Sequence, residues 1–257
     1  TIYYIAPQLW AWNEKRIKKI KKYIDSLYVI LPFEKEFFEN KHKYPVKFLG
    51  HPLLDSISNF KKNYDSSSEQ IITNKKAVIA ILPGSRKQEI KKILNTVIKI
   101  VDYFPDHQFI VEGAPNIELS YYKSIIKNKR IKVIENKTYE ILSISTAAIV
   151  TSGTATLETA LFKVPQVVCY KSSYFSYFIA KLIVNIKYIS LVNLIMDQQI
   201  VKELIQQDCN KDKIRNELEK ILDLNNKKSL QIKYDELTSI LGNNGTSKRV
   251  ALDIIKK

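Results

Sequence analysis

The sequence predicts an α/β protein built around a parallel sheet, and three observations predict it. Short apolar runs alternate with amphipathic helical patterns from the first residue onward, as in chains that wind strands and helices into βαβ units. Two of the six glycines stand where an apolar run gives way to a helical pattern, in Leu82-Pro83-Gly84-Ser85-Arg86 and in Ser152-Gly153-Thr154-Ala155-Thr156-Leu157-Glu158. A content of 45% apolar and 26% charged residues over 257 positions is that of a globular chain with ample length for a core.

Taken in order, residues 1–6 read as a strand, 13–25 as a basic helix, 26–31 as a strand, 33–40 as a short helix and 46–49 as a strand. The polar stretch 60–76, with Asp65-Ser66-Ser67-Ser68 and Thr73-Asn74-Lys75-Lys76, reads as a linker. Beyond it come strand 77–82, helix 88–104, strand 108–111, helix 116–127, strand 131–134, helix 138–145 and strand 147–150. Helix 156–162, strand 166–170, helix 174–184 and a strand-like segment at 188–192 continue the series, and from 198 onward only helical patterns remain. In the first helix after the linker, Ile90, Ile93, Leu94, Val97, Val101 and Phe104 recur at three- and four-residue steps and make one buried stripe.

The net charge of +15 has the look of a nucleic-acid footprint. The five arginines, Arg16, Arg86, Arg130, Arg215 and Arg249, leave 36 lysines scattered along the chain among many Ile, Asn and Tyr, the pattern of an AT-rich coding sequence. Anionic partners such as a membrane surface or phosphorylated substrates are the other source of such a charge. An RNA-binding module would show arginine clusters or stacking aromatics on one exposed sheet face, and the scattered lysines argue against it. Cys169 and Cys209 have no ligand spacing and read as free thiols of a reducing cytoplasm. No uncharged apolar run is long enough to span a membrane.

The two glycine turns carry the chemistry. A turn that opens a helix presents backbone N–H groups to an anion. In the first, Ser85 offers a hydroxyl and an N–H, and Arg86 places a charged fork suited to phosphate at a helix start, where a cation without an anionic ligand is disfavoured. In the second, Ser152, Gly153, Thr154, Ala155 and Thr156 are small enough for a phosphate to approach. Glu158 follows one turn on, either as a carboxylate accepting vicinal hydroxyls, as on a ribose, or as a first-turn acid favoured by the helix dipole. Anion cradle and diol acceptor together point to a nucleotide. Neither turn is a Walker or Gly-x-Gly-x-x-Gly loop, and no Asp-x-Asp offers a metal clamp, so Arg86 and helix N-termini would stabilise a leaving phosphate. Trp10 and Trp12, the only tryptophans, follow the first strand as cleft linings or core plugs, and His51 precedes Pro52 as a structural or catalytic group. The aromatic, lysine-punctuated segment from Tyr174 to Ile183 reads either as an interfacial membrane helix or as a buried face.

With these residues in hand, the chain resembles the lipid-A-disaccharide synthases, glycosyltransferases of the GT-B type. The matching motifs are Tyr4-Ile5-Ala6-Pro7-Gln8-Leu9-Trp10-Ala11-Trp12, Leu31-Pro32-Phe33-Glu34-Lys35, Gly50-His51-Pro52-Leu53-Leu54-Asp55, the two glycine turns, and Ser190-Leu191-Val192-Asn193-Leu194-Ile195 followed by Glu203-Leu204-Ile205-Gln206. The resemblance implies a Rossmann-like, parallel-sheet UDP-sugar domain at 77–240, the last part of a Rossmann-like N-terminal domain at 1–59, and a C-terminal helix in 241–257 that packs back on the N-terminal domain. It implies inverting, metal-independent transfer of 2,3-diacylglucosamine from UDP to 2,3-diacylglucosamine 1-phosphate, with no cofactor, at the cytoplasmic face of a Gram-negative inner membrane; a homodimer is compatible with it. Ser85, Arg86, Glu89, residues 152–156, Glu158, Asn193, Glu203 and Gln206 would hold the donor, and Trp10, Trp12 and His51 would stand on the acceptor side. A Gly-Glu-x-Ser-Gly-Asp motif and an Asp-x-Pro-Asp motif with a candidate general base, both N-terminal in that family, are not in this sequence, so the expectation is a fragment whose general base is elsewhere. Another UDP-sugar enzyme of this fold, such as an epimerase, and a non-catalytic UDP-binding or membrane-surface fragment are the alternatives.

Overall fold

The computed structural model describes residues 1–64, 76–171 and 187–256, and the chain divides into two compact units. One is formed by Thr1–Asn63 with the residues from Asp235 on; the other holds residues 76–171 and Tyr188–Tyr234.

In the first unit β1 (Ile2–Tyr4), β2 (Ser26–Val29) and β3 (Lys47–Phe48) pair in parallel in the order β1-β2-β3. A 3₁₀ turn, Glu14–Arg16, leads into α1 (Ile17–Tyr23), whose Ile17 and Ile20 are buried with Leu9, Leu27, Val29 and Phe38. Helix α2 (Pro32–Glu36) starts on a proline, which fits the first helical position because the missing N–H has no partner there in any case. Helix α3 (Leu53–Asn63) was not anticipated and takes in residues 60–63 of the polar stretch, whose residues 65–75 lie outside the described set.

The second unit is a six-stranded, all-parallel sheet of β4 (Ala77–Leu82), β5 (His107–Gly113), β6 (Ile131–Glu135), β7 (Ser145–Thr151), β8 (Gln166–Tyr170) and β9 (Lys202–Ile205), in the order β6-β5-β4-β7-β8-β9. This is the doubly wound order of dinucleotide-binding sheets. The alternation of β4 is split between two cores: Ile79 and Ile81 join Phe109, Val111 and Ile149 on one face, and Val78, Ala80 and Leu82 join Ile110, Ala148 and Val150 on the other. Both faces of a central parallel strand are covered, hence its unbroken apolar sequence. Around the sheet lie α4 (Lys87–Val97), α5 (Leu119–Ile125), α6 (Thr138–Ser143), α7 (Thr154–Leu161), α8 (Leu191–Met196) and α9 (Lys211–Leu222). The predicted stripe holds: Ile90, Ile93, Leu94 and Val97 are fully buried in α4, and Val101 and Phe104 are buried in and beside the 3₁₀ stretch Ile98–Tyr103 that follows.

Two expectations are corrected. The segment 188–192 is not a strand; Ser190 accepts the N–H of Asn193 and caps α8, which begins at Leu191. Residues beyond 198 are not wholly helical, because Lys202–Ile205 pairs with Val167–Tyr170 as an edge strand. Cys169 and Cys209, far apart in sequence, are buried neighbours; their hydrogen bond, with burial, holds the Cys169 thiol well above the usual range. The predicted helix 174–184 lies outside the described residues.

Helix α10 (Leu224–Ile240) crosses from the second unit into the first, where α11 (Thr246–Ile255) follows. Asp55 accepts the N–H groups of Gly245, Thr246 and Ser247 and so caps α11 from another part of the chain. Arg249 donates to the Leu49 and Asn243 carbonyls at 2.9 and 2.7 Å, and Lys47 donates to Asp253 at 2.6 Å. Glycine is required at residue 50: its φ is +110°, and a Cβ there would lie 2.5 Å from Thr246 Oγ1.

Candidate functional site

The sheet order reverses between β4 and β7, and both glycine turns leave these two adjacent strands at their carboxyl ends, where open parallel sheets bind ligands. The turns touch. Gly84, at φ +91°, leaves only enough room that a Cβ would meet Thr151 Cγ2 at 3.3 Å and Glu89 Oε2 at 3.1 Å. Arg86 is the extended residue that precedes α4; its guanidinium is 79% exposed and donates to Glu89 Oε1 at 2.9 Å. Glu89 therefore steers Arg86 at the mouth of the crevice. Ser85 is exposed, and its carbonyl accepts from Asn116 Nδ2.

Gly153 precedes α7 at φ +143° and is exposed, with no atom of the described residues within 4 Å of where a Cβ would stand. Thr154 is exposed and Ala155 half-buried, and the first N–H groups of α7 have no carbonyl four residues back to bond. Thr156 departs from the pattern expected of a ligand contact: it is fully buried, and its hydroxyl donates to the Gly153 carbonyl at 2.8 Å, which closes the turn from within. The Ser152 hydroxyl is likewise committed, to the Ile189 carbonyl at 2.6 Å. What this loop presents outward is backbone and the Thr154 side chain.

Glu158, on α7, receives the Tyr139 hydroxyl from α6 at 3.2 Å. Burial raises its pKa above the ordinary carboxylate value, with the Tyr139 bond opposing the rise. Glu112, at the end of β5, is raised for the same reason, and the Glu158 charge adds to the effect. Glu112 and Glu158 are thus two partly desolvated carboxylates close enough to feel each other's charge. Neither Tyr139 nor Glu112 is marked by any motif; only the fold brings them to Glu158.

Asn193 and Glu203 meet in a closed network. Glu203 accepts the N–H groups of Ile189 and Ser190 at 3.0 Å, the Ser190 hydroxyl and Asn193 Nδ2, both at 2.8 Å. Asn193 also donates to the Val201 carbonyl and accepts the N–H groups of Ile200 and Val201. These side chains position residues 189–201, and through Ile189 they anchor Ser152. Gln206, buried at φ +52°, gives its N–H to the Tyr170 carbonyl at 2.8 Å and turns the chain after β9.

In the first unit Trp10 donates its indole N–H to Glu34 at 3.1 Å and stacks edge-on against Phe33 at 4.9 Å. Glu34 also accepts the N–H groups of Ile30 and Leu31, and burial raises its pKa. Trp12 is 54% exposed, and both indoles line a groove of ≈ 810 Å³ with Leu9, Ile17, Lys15 and His42. His51 is buried, and its Nδ1 accepts the Leu53 N–H at 3.2 Å, capping α3; burial lowers its pKa to about 4. With Nδ1 accepting that bond, a ring that is neutral near pH 7 carries its proton on Nε2. Among the described residues, no three His, Cys, Asp or Glu side chains are grouped to hold a metal, and no helix is long and apolar enough to cross a membrane.

Solved structures share this architecture. A complex of S. aureus MnaA with UDP gives a TM-score of 0.63 at 16% identity, over 91% of this chain and 61% of that one. CalG4, the calicheamicin glycosyltransferase, gives 0.56 at 12%, over 95% and 59%. Sheet order, crevice and these likenesses define the class: an α/β protein of the GT-B fold. Residues 1–252 match the family model for lipid-A-disaccharide synthetase. Lipid-A-disaccharide synthase of Persephonella marina is 36% identical over all of this chain and 71% of its own length, and that of Coxiella burnetii 34% over 97% and 67%. Synthase 1 of Legionella pneumophila (strain Lens) is 39% identical over 81% of this chain and 56% of its own length. The chain belongs to the lipid-A-disaccharide synthase family, glycosyltransferases of lipid A biosynthesis. It spans about two thirds of the length of such relatives.

Proposed function

We propose that this chain supplies the donor side of the transfer of 2,3-diacylglucosamine from UDP to the 6-hydroxyl of 2,3-diacylglucosamine 1-phosphate, with inversion and without a metal. The observation that carries the reading is that the two glycine turns leave neighbouring strands at the sheet's reversal point, Gly84 beside Thr151, with the exposed Arg86 next to them. The diphosphate would lie between the Arg86 guanidinium and the N–H groups of Gly153, Thr154 and Ala155. As the glycosidic bond breaks, negative charge grows on the leaving phosphate, and donors already in place stabilise it with little reorganisation. Ser85 and Glu89 would orient Arg86. Glu158 would accept the ribose hydroxyls, with Tyr139 fixing the carboxylate.

Asn193, Glu203 and Gln206 act behind these groups, by shaping the loop that holds Ser152. Trp10, Trp12 and His51 belong to the acceptor side in this reading, and His51 serves as a donor. The same reading assigns residues 1–59 to the acceptor domain, 77–240 to the donor domain and the C-terminal helix to the acceptor domain, and places the protein on the inner-membrane surface. Calorimetric titration tests it: UDP and a UDP-sugar bind while ADP, with the same diphosphate and ribose but a larger base, binds at least about tenfold more weakly. Equal binding of ADP, or no binding of UDP, overturns it.

A further inference from the structure

The lysines of this chain are not all alike. Lys41, Lys47, Lys137, Lys213 and Lys220 pair with carboxylates. Lys15, Arg16, Lys18, Lys19, Lys21 and Lys22 form no ion pair among the described residues, although they fall within eight consecutive positions and all are exposed. The backbone explains the ridge: Ile17 and Ile20 are the buried side of α1, so every remaining position there projects to solvent and carries charge, up to Tyr23 at the end. Six unneutralised cations in so short a stretch repel one another, a cost offset when an anionic surface meets them.

Beside the ridge is the groove lined by Leu9, Trp10, Trp12 and Ile17, with Trp12 54% and Tyr23 58% exposed. Indole and phenol rings next to lysines are the composition of a segment that rests at a bilayer's headgroup level. The groove's acid does not oppose this, since Glu14 is already held by Lys41 and His42. We infer that the cationic ridge Lys15–Lys22 and the indole groove beside it form the docking surface for an anionic lipid bilayer. The inference rests on the membrane-surface reading above and specifies a face that carries it; the aromatic segment 174–184 lies outside the described residues. Each cation near such a surface adds to the attraction, so four lysines together outweigh any single exposed ring.

The only tryptophans of the chain lie in this groove, so intrinsic tryptophan fluorescence reports on it directly. The probe is vesicles of phosphatidylglycerol and phosphatidylcholine with brominated acyl chains, against phosphatidylcholine alone, at low salt. The expected result is flotation and quenching with the anionic vesicles only. The variant K18Q/K19Q/K21Q/K22Q, checked for unchanged circular dichroism, should lose at least about tenfold in vesicle affinity, and the matching four Lys→Arg changes should restore it. Vesicle binding without quenching, or binding unchanged in the glutamine variant, overturns this surface while leaving membrane association standing. No binding to anionic vesicles overturns both. An RNA oligonucleotide that binds more tightly than the vesicles and depends on the same lysines assigns the ridge to nucleic acid and overturns the lipid assignment.

Discussion

Asn193 donates its side-chain N–H to Glu203 Oε1 at 2.8 Å from a position with no exposed surface, and every other polar valence of that amide is bonded as well. This pair fixes the residues on which Ser152 hangs, so it links the edge strand to the phosphate-type turn. Asn193→Ala takes their side-chain partner from the Ile200 and Val201 N–H groups and from the Val201 carbonyl, and removes one of the three donors to Glu203 Oε1. A loss of about 3 kcal/mol in urea unfolding is expected. A loss below about 1 kcal/mol contradicts the network's role.

Arg86 is exposed and held by one acid, so its removal costs the fold little and the ligand much. Arg86→Ala should leave the unfolding midpoint nearly unchanged and weaken UDP binding by about tenfold to a hundredfold, the range of a charge-assisted hydrogen bond. Equal affinity by calorimetry removes the phosphate role.

Much of this was legible beforehand, and the exceptions have physical reasons. β4 was read to the residue because both its faces are buried and its six residues are all apolar. β9 was missed because Lys-Glu-Leu-Ile is short and half polar, an edge strand specified by its neighbour β8. Residues 188–192 look like a strand in composition; the Glu203 carboxylate, reached only through the fold, holds Ser190 as a helix cap. In the proposed site, Arg86 and Glu158 are legible because they stand after glycine turns. Tyr139 and Glu112 do not, since nothing local ties them to Glu158.

Glu158 tests the ribose side and carries a sign for pH. Its folded pKa is raised, so the folded state holds the proton more tightly and stability declines as pH climbs from the ordinary carboxylate value of 4.5 through the raised folded value. Glu158→Gln should therefore be at least as stable as wild type at pH 7 and should lose preference for UDP over its 2′,3′-dideoxy analogue. Tyr139→Phe should lose part of that preference, about threefold to tenfold. Unchanged discrimination in Glu158→Gln removes the ribose assignment.

His51 gives the opposite sign. Its folded pKa is lowered from 6.5 to about 4, so its contribution is complete above 6.5 and is lost as pH falls through about 4. Up to about 3 kcal/mol of stability should disappear across that interval. His51→Asn keeps a capping acceptor for the Leu53 N–H without titrating there, and its unfolding should show a correspondingly flatter pH dependence. An identical slope in the variant contradicts the buried neutral ring.

The central claim is that one UDP spans both glycine turns, and a crystal structure of the chain with UDP tests it most directly. The account predicts diphosphate oxygens within about 3 Å of the Arg86 guanidinium and of the N–H groups at Gly153 to Ala155, with a ribose hydroxyl on Glu158. UDP bound away from these turns, or bound there with Glu158 touching only Tyr139, would contradict it.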